Sequence, residues 1–75
     1  MPKPQMYIPR RWMNTGFGRR YYAEGWQDGL AGQGHRYSDV QATLDLVRLE
    51  GQAALLAYED GFAAGLDAAE QTQDE

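Results

Sequence analysis

The sequence predicts an all-α fold: a helical hairpin with a long second helix and an extended basic N-terminal arm, assembled as a dimer. Three observations carry that expectation. Val40, Leu44, Val47, Gly51, Ala54, Tyr58, Gly61, Gly65 and Ala68 follow one another in alternating four- and three-residue steps. A period of ~3.5 residues keeps such a seam on one side of a helix. The segment Tyr22-Ala23-Glu24-Gly25-Trp26-Gln27-Asp28-Gly29-Leu30 recurs 36 residues later as Tyr58-Glu59-Asp60-Gly61-Phe62-Ala63-Ala64-Gly65-Leu66. Lastly, residues 1–20 hold Lys3, Arg10, Arg11, Arg19 and Arg20 and no acid, whereas residues 21–75 hold 11 acids against Arg36 and Arg48.

Taken in order, residues 1–14 form the arm. Pro2, Pro4 and Pro9 disfavour helix there, because proline lacks an amide proton and restricts the residue before it. Met6, Tyr7, Ile8, Trp12 and Met13 make the arm too apolar for a solvated tail, so it should lie extended against its own helices or another molecule. Asn14-Thr15 offers an N-cap, and helix one is expected over 16–31. Gly32 and Gly34 end it, since glycine adopts the left-handed conformation without steric cost. A turn over 33–37 leads to helix two, expected over 38–70. Its start, Ser38-Asp39-Val40-Gln41, fits a capping box with the Ser38 hydroxyl as cap. A weaker stripe of Leu46, Leu49, Ala53 and Leu56 runs along a second face. Residues 71–75 read as a frayed polar tail.

Glycine inside a helix costs ~1 kcal/mol relative to alanine. Gly25, Gly29, Gly61 and Gly65 recur four apart on one face, which points to close helix packing of the kind best documented in membranes. Length then poses a problem. Helix one spans ~24 Å and helix two ~48 Å, so an antiparallel hairpin would leave the second repeat, Tyr58–Leu66, uncovered. The arm could fold over it, the helix could break at Gly51, or a second subunit could cover it; the expectation is a homodimer with help from the arm.

No catalytic, cofactor-binding or metal-binding residues are assigned. The 75 residues contain no cysteine and one histidine, His35, which excludes thiolate chemistry and a histidine metal cluster. His35 reads as a solvated loop residue, Ser38 as a cap, and Glu24, Asp28, Glu59 and Asp60 as solvated faces of their helices. Gly16-Phe17-Gly18 and Gly32-Gln33-Gly34 lack the preceding strand and following Lys-Ser/Thr of a phosphate loop. The chain is therefore expected to be no enzyme. No apolar run reaches the ~20 residues of a membrane span and no signal-peptide pattern is present, so the expected location is the cytoplasm, without membrane association.

Large rings dominate interface energy, which makes Tyr7, Trp12, Trp26, Tyr58 and Phe62 the candidate partner-binding residues. Arg10, Arg11, Arg19 and Arg20, interleaved with rings that can stack on bases, are the candidate phosphate or anion contacts. The acidic remainder can instead occupy a basic groove on another protein.

The run Gly25-Trp26-Gln27-Asp28-Gly29-Leu30-Ala31-Gly32, followed by Tyr37 and Gly61-Phe62, is similar to ribosome modulation factor. There a Gly-aromatic-x-x-Gly-aliphatic-Ala-Gly run ends the first helix. The likeness covers Arg19–Tyr37 and Tyr58–Leu66, and Arg19, Arg20 and Arg36 fall where that family's basic residues flank the motif. It implies a small helical hairpin that binds the small ribosomal subunit and favours inactive ribosome pairs. Small proteins of bacteriophages also resemble this pattern. That family is strongly basic, whereas this chain is acidic outside its arm. The leading expectation is a non-enzymatic protein, with a bacteriophage as its expected source, that modulates or inhibits a host protein or ribonucleoprotein complex by protein–protein contact. The alternatives are an rRNA-binding ribosome modulator acting through the arm, and a small-ligand sponge lined by Tyr22, Trp26 and Tyr58 at a dimer interface.

Overall fold

The computed structural model describes residues 5–73. Lys3, Pro2 and Pro4 of the arm and Asp74-Glu75 of the tail lie outside them. Four helices follow in order: α1 (Arg10–Met13), α2 (Gly16–Ala31), α3 (Val40–Glu50) and α4 (Gln52–Gln73). The all-α expectation holds. Helix one has the predicted bounds, for the predicted reasons. The Thr15 hydroxyl accepts from the Gly18 amide at 3.1 Å, and Gly32 takes the left-handed conformation at φ 76°. Gln33 N–H then reaches back to the Asp28 carbonyl at 2.9 Å, closing a Schellman turn.

Three expectations about local structure are corrected. The arm is not extended throughout: Pro9 starts the single helical turn α1, its carbonyl accepting from the Trp12 and Met13 amides. Asp39, not Ser38, caps the next helix, since its carboxylate reaches both the Gln41 and Ala42 amides. Gln41 points forward to Asp45 instead of back. The expected helix over 38–70 is two helices, interrupted at Gly51 with φ 97° and ψ 165°. Only glycine occupies that region readily. Beyond the break, α4 continues through Gln73, so 71–73 of the expected frayed tail are helical.

The break reverses the chain, and α4 pairs with α2 in parallel rather than antiparallel fashion. A Cβ added at Gly25 would strike the Tyr58 carbonyl oxygen and, at 2.8 Å, the Phe62 nitrogen. One at Gly29 would strike the Phe62 carbonyl oxygen and, at 2.9 Å, the Leu66 nitrogen. From the other side, Gly61 faces the Tyr22 carbonyl and Gly65 the Trp26 carbonyl. Residue numbers rise together on both helices, each repeat position opposing its own copy. The two repeats therefore pair with each other, related by an approximate two-fold axis along the helices.

The second repeat is thus covered within one chain, and the premise that led to a dimer falls away. In parallel packing the connection must return the length of α2, ~24 Å; the turn and α3 supply that return path. The core comprises Trp12, Tyr21, Tyr22, Leu46, Ala54, Ala57 and Tyr58. On α3 the phase differs from expectation: Leu46 of the weaker stripe is buried, while Val40 and Leu44 of the main seam are exposed. The bend at Gly51 rotates α3 relative to α4, so one seam cannot face the core on both.

The glycine contact predicts a sharp asymmetry between sites. Gly61→Ala drives a methyl into the Tyr22 backbone and should lower stability by about 2–4 kcal/mol. Gly34→Ala meets nothing within 4 Å and should change it by less than ~0.5 kcal/mol. Urea unfolding of the two variants checks this.

Candidate functional site

Asp28 and Arg36 enclose the hydroxyl of Tyr58 where the turn after α2 meets α2 and α4. Tyr58 is wholly buried, at 0% exposure. Its Oη donates to Asp28 Oδ2 at 2.6 Å and accepts from the Arg36 amide at 3.0 Å. The Arg36 guanidinium meets Asp28 Oδ1 at 3.2 Å and Glu24 Oε1 at 2.7 Å. The half-turn after α2 is thereby tied to both long helices. Burial first, and then the hydrogen bond to Asp28, push the Tyr58 hydroxyl up to about 12 from its usual 10.

Tyr58 is consequently a core residue, and its place among the partner-binding candidates and in the sponge is corrected. A tyrosine at the centre of a glycine-faced contact has no surface to offer. The same holds for Trp12, which is buried and donates its indole N–H to Asp60 Oδ2 at 2.9 Å. Its helical turn sits against α2 because Gly18 has no side chain to collide with the Trp12 backbone. Phe62 is half-buried against His35, with ring centroids 5.4 Å apart. Trp26 is half-buried and Tyr7 is 76% exposed. These two join Tyr22, Ala64, Asp67 and the arm residue Gln5 around a surface groove of about 250 Å³.

His35 is not a solvated loop residue. Its Nδ1 accepts from the Tyr37 amide at 3.0 Å, its Nε2 lies 3.7 Å from Glu59, and its ring meets Tyr58 edge-on at 4.9 Å. Nor are the acids a bare solvated face: Asp28 is buried, and Glu24, Glu59 and Asp60 all take partners. Sequence reasoning missed this cluster. Its one signal was the placement of Glu24 and Asp28 one turn apart just before a turn that carries Arg36.

All four candidate anion-binding arginines are exposed, but they are not equivalent. Arg11 lies 3.7 Å from Asp60 and stacks over Trp12; Arg20 lies 3.6 Å from Glu24 and stacks over Tyr21. Arg10 and Arg19 form no ion pair among the described residues. Two of the four arginines, Arg11 on α1 and Arg20 on α2, are therefore paired with the chain's own acids. Among those residues no three His, Cys, Asp or Glu side chains group so as to hold a metal ion. No helix among them is long and apolar enough to cross a membrane.

Among the described residues, the two most exposed aliphatic side chains lie elsewhere, on α3. Val40 is 73% exposed and Leu49 78%, with Leu44 and Leu56 about half exposed. Val40 and Leu44 stand one turn apart on a single face, with Asp45 and Arg48 beside them. No family model matches the chain, and neither a curated protein nor a solved structure matches it.

The Tyr58 hydroxyl gives an alkaline signature. Its folded value lies above its unfolded one, so its contribution is complete below pH 10 and disappears as pH rises to about 12. Burial raises Tyr21, Tyr22 and Tyr37 in the same direction. Wild type should lose stability steeply between those limits in urea titrations. Tyr58→Phe should be about 1–3 kcal/mol less stable at neutral pH and lose less above pH 10.

Proposed function

We propose that this is a non-enzymatic binding protein that contacts a macromolecular partner through the exposed face of α3. The observation that carries the reading is the pair Val40 and Leu44, apolar, adjacent and solvent-facing on a helix capped and held in place by Asp39 and Leu46. Exposed apolar side chains grouped in this way mark interaction sites more often than scattered ones do. Asp39, Asp45 and Glu50 against Arg48 give this helix an acidic rim, which favours a partner with an apolar groove edged by basic residues. A protein of that kind can block a basic surface on a host protein or ribonucleoprotein, which is the inhibitor or modulator role expected from the charge distribution.

The second reading is RNA contact by the arm, in line with the likeness to ribosome modulation factor. It is supported by Arg10 and Arg19, which are exposed and without ion pairs among the described residues, and by the exposed ring of Tyr7. Four cations would give a steep salt dependence, but two of them are already engaged by Asp60 and Glu24.

Affinity capture from host lysate at low and high salt separates the readings. A partner held at high salt, lost with Val40→Lys/Leu44→Lys and kept with Arg10→Ala/Arg19→Ala, is the expected outcome. Ribosomal subunits released by salt and lost with the arginine variant would replace it with the second reading. The valine and leucine positions are exposed, so the double variant should unfold within ~1 kcal/mol of wild type.

A further inference from the structure

We propose that a second copy of this chain can replace α4, giving a domain-swapped dimer in which α3 and α4 form one continuous helix through Gly51. The closed chain departs from that helix at a single residue. Glu50 ends α3 and Gln52 begins α4. The Gly51 amide still bonds the Val47 carbonyl at 2.9 Å, as it would in an uninterrupted helix. Only the Gly51 dihedrals, φ 97° and ψ 165°, turn the chain back. The sequence around them keeps a helical period without interruption, from Val40 to Ala68. Straightening Gly51 therefore requires no other residue to change conformation.

The swap preserves what stabilises the fold. Every contact between α2, the turn, α3 and α4 can be remade with α4 of the second chain, including the glycine-to-carbonyl contacts and the bonds from Tyr58 to Asp28 and Arg36. Two copies exchanging one element reach this state without a new fold. The straightened helix also places Leu49 and Leu56, seven residues apart, on one face beside the crossing point. In the closed chain they flank the hinge, the first 78% exposed and the second about half. Where the two long helices cross, each pair can cover the other across the two-fold axis, with Gly51 and Ala53 allowing close approach. This interface is separate from the Val40–Leu44 face, so the dimer does not depend on the binding role proposed above.

The hinge gives a direct test. Gly51→Ala has open space for its methyl, but its closed-state dihedrals lie where alanine is strained, whereas alanine favours the continuous helix. Light scattering on a sizing column should find Gly51→Ala at twice the 8.5 kDa chain mass, with dimerisation at least about tenfold tighter than in wild type. Adding Leu49→Lys/Leu56→Lys to that variant should weaken the dimer. Inserting Gly-Gly after residue 51 should return it to a monomer, since a longer hinge lets the chain close on itself. A folded Gly51→Ala monomer would overturn the proposal. So would a Gly51→Ala chain that loses its helical circular dichroism, because the straight helix should accommodate alanine. A dimer unchanged by the insertion would exclude swapping as its cause.

Discussion

The contact of Gly25, Gly29, Gly61 and Gly65 with the facing backbone governs the architecture. Each glycine inside a helix costs about 1 kcal/mol in intrinsic propensity. What offsets that cost is backbone approach: carbonyls of Tyr22, Trp26, Tyr58 and Phe62 occupy the spaces where side chains would stand. Dispersion at such short separation and weak Cα–H···O contacts reward the fit over two successive turns. Parallel pairing follows from the register, and the returning segment follows from parallel pairing. α3 is thus a connection that became a helix, and its light burial follows from that role.

A core built around such a contact is narrow, and the one large side chain wholly buried among the described residues is a tyrosine. An unbonded hydroxyl at that depth would cost about 1–3 kcal/mol. Asp28 and the Arg36 amide remove that penalty, and Arg36 in turn compensates the buried carboxylate. The polar cluster and the apolar core are therefore one structure. The turn after α2 is fixed by the same residue that fills the interior, which positions the start of α3 and its exposed face.

Much of this was legible in the residues, because caps and small-residue spacing act locally. Thr15 and Gly32 marked both ends of α2, and the repeated glycines marked a close packing face. Helix direction was not legible. Periodicity identifies a face but does not distinguish a parallel from an antiparallel neighbour. The break at Gly51 was hidden for a related reason: a glycine in a heptad-like seam fits both a continuous helix and a positive-φ bend. Among the site residues, residue type alone does not place Tyr58 and Trp12, because a large aromatic suits a core as well as an interface. Val40 and Leu44 were read as part of the packing seam, and only the rotation of α3 at the bend turns them outward. Charge alone marks the arginines in the sequence, and it does not reveal that Asp60 and Glu24 engage two of them.

The approximate two-fold relation between the repeats bears on how such a chain is organised. Gly25 meets the Tyr58 carbonyl, and the residue 36 positions later, Gly61, meets the carbonyl 36 positions before Tyr58. A contact with that symmetry is isologous, the kind that joins identical subunits. Its energy depends on the two surfaces and not on whether one chain or two supplies them. The connector determines which arrangement forms. Here the connector is a turn tied down by Tyr58, a lightly buried helix and one glycine in a conformation open to few other residues. The first of these anchors the chain to its own α2, and the last is the point at which its path to α4 is decided. Stability is concentrated in the glycine contact, while conformational choice is concentrated at Gly51. In the swap proposed above the two vary independently, and a substitution at the hinge would act on the assembly while leaving the packed faces intact.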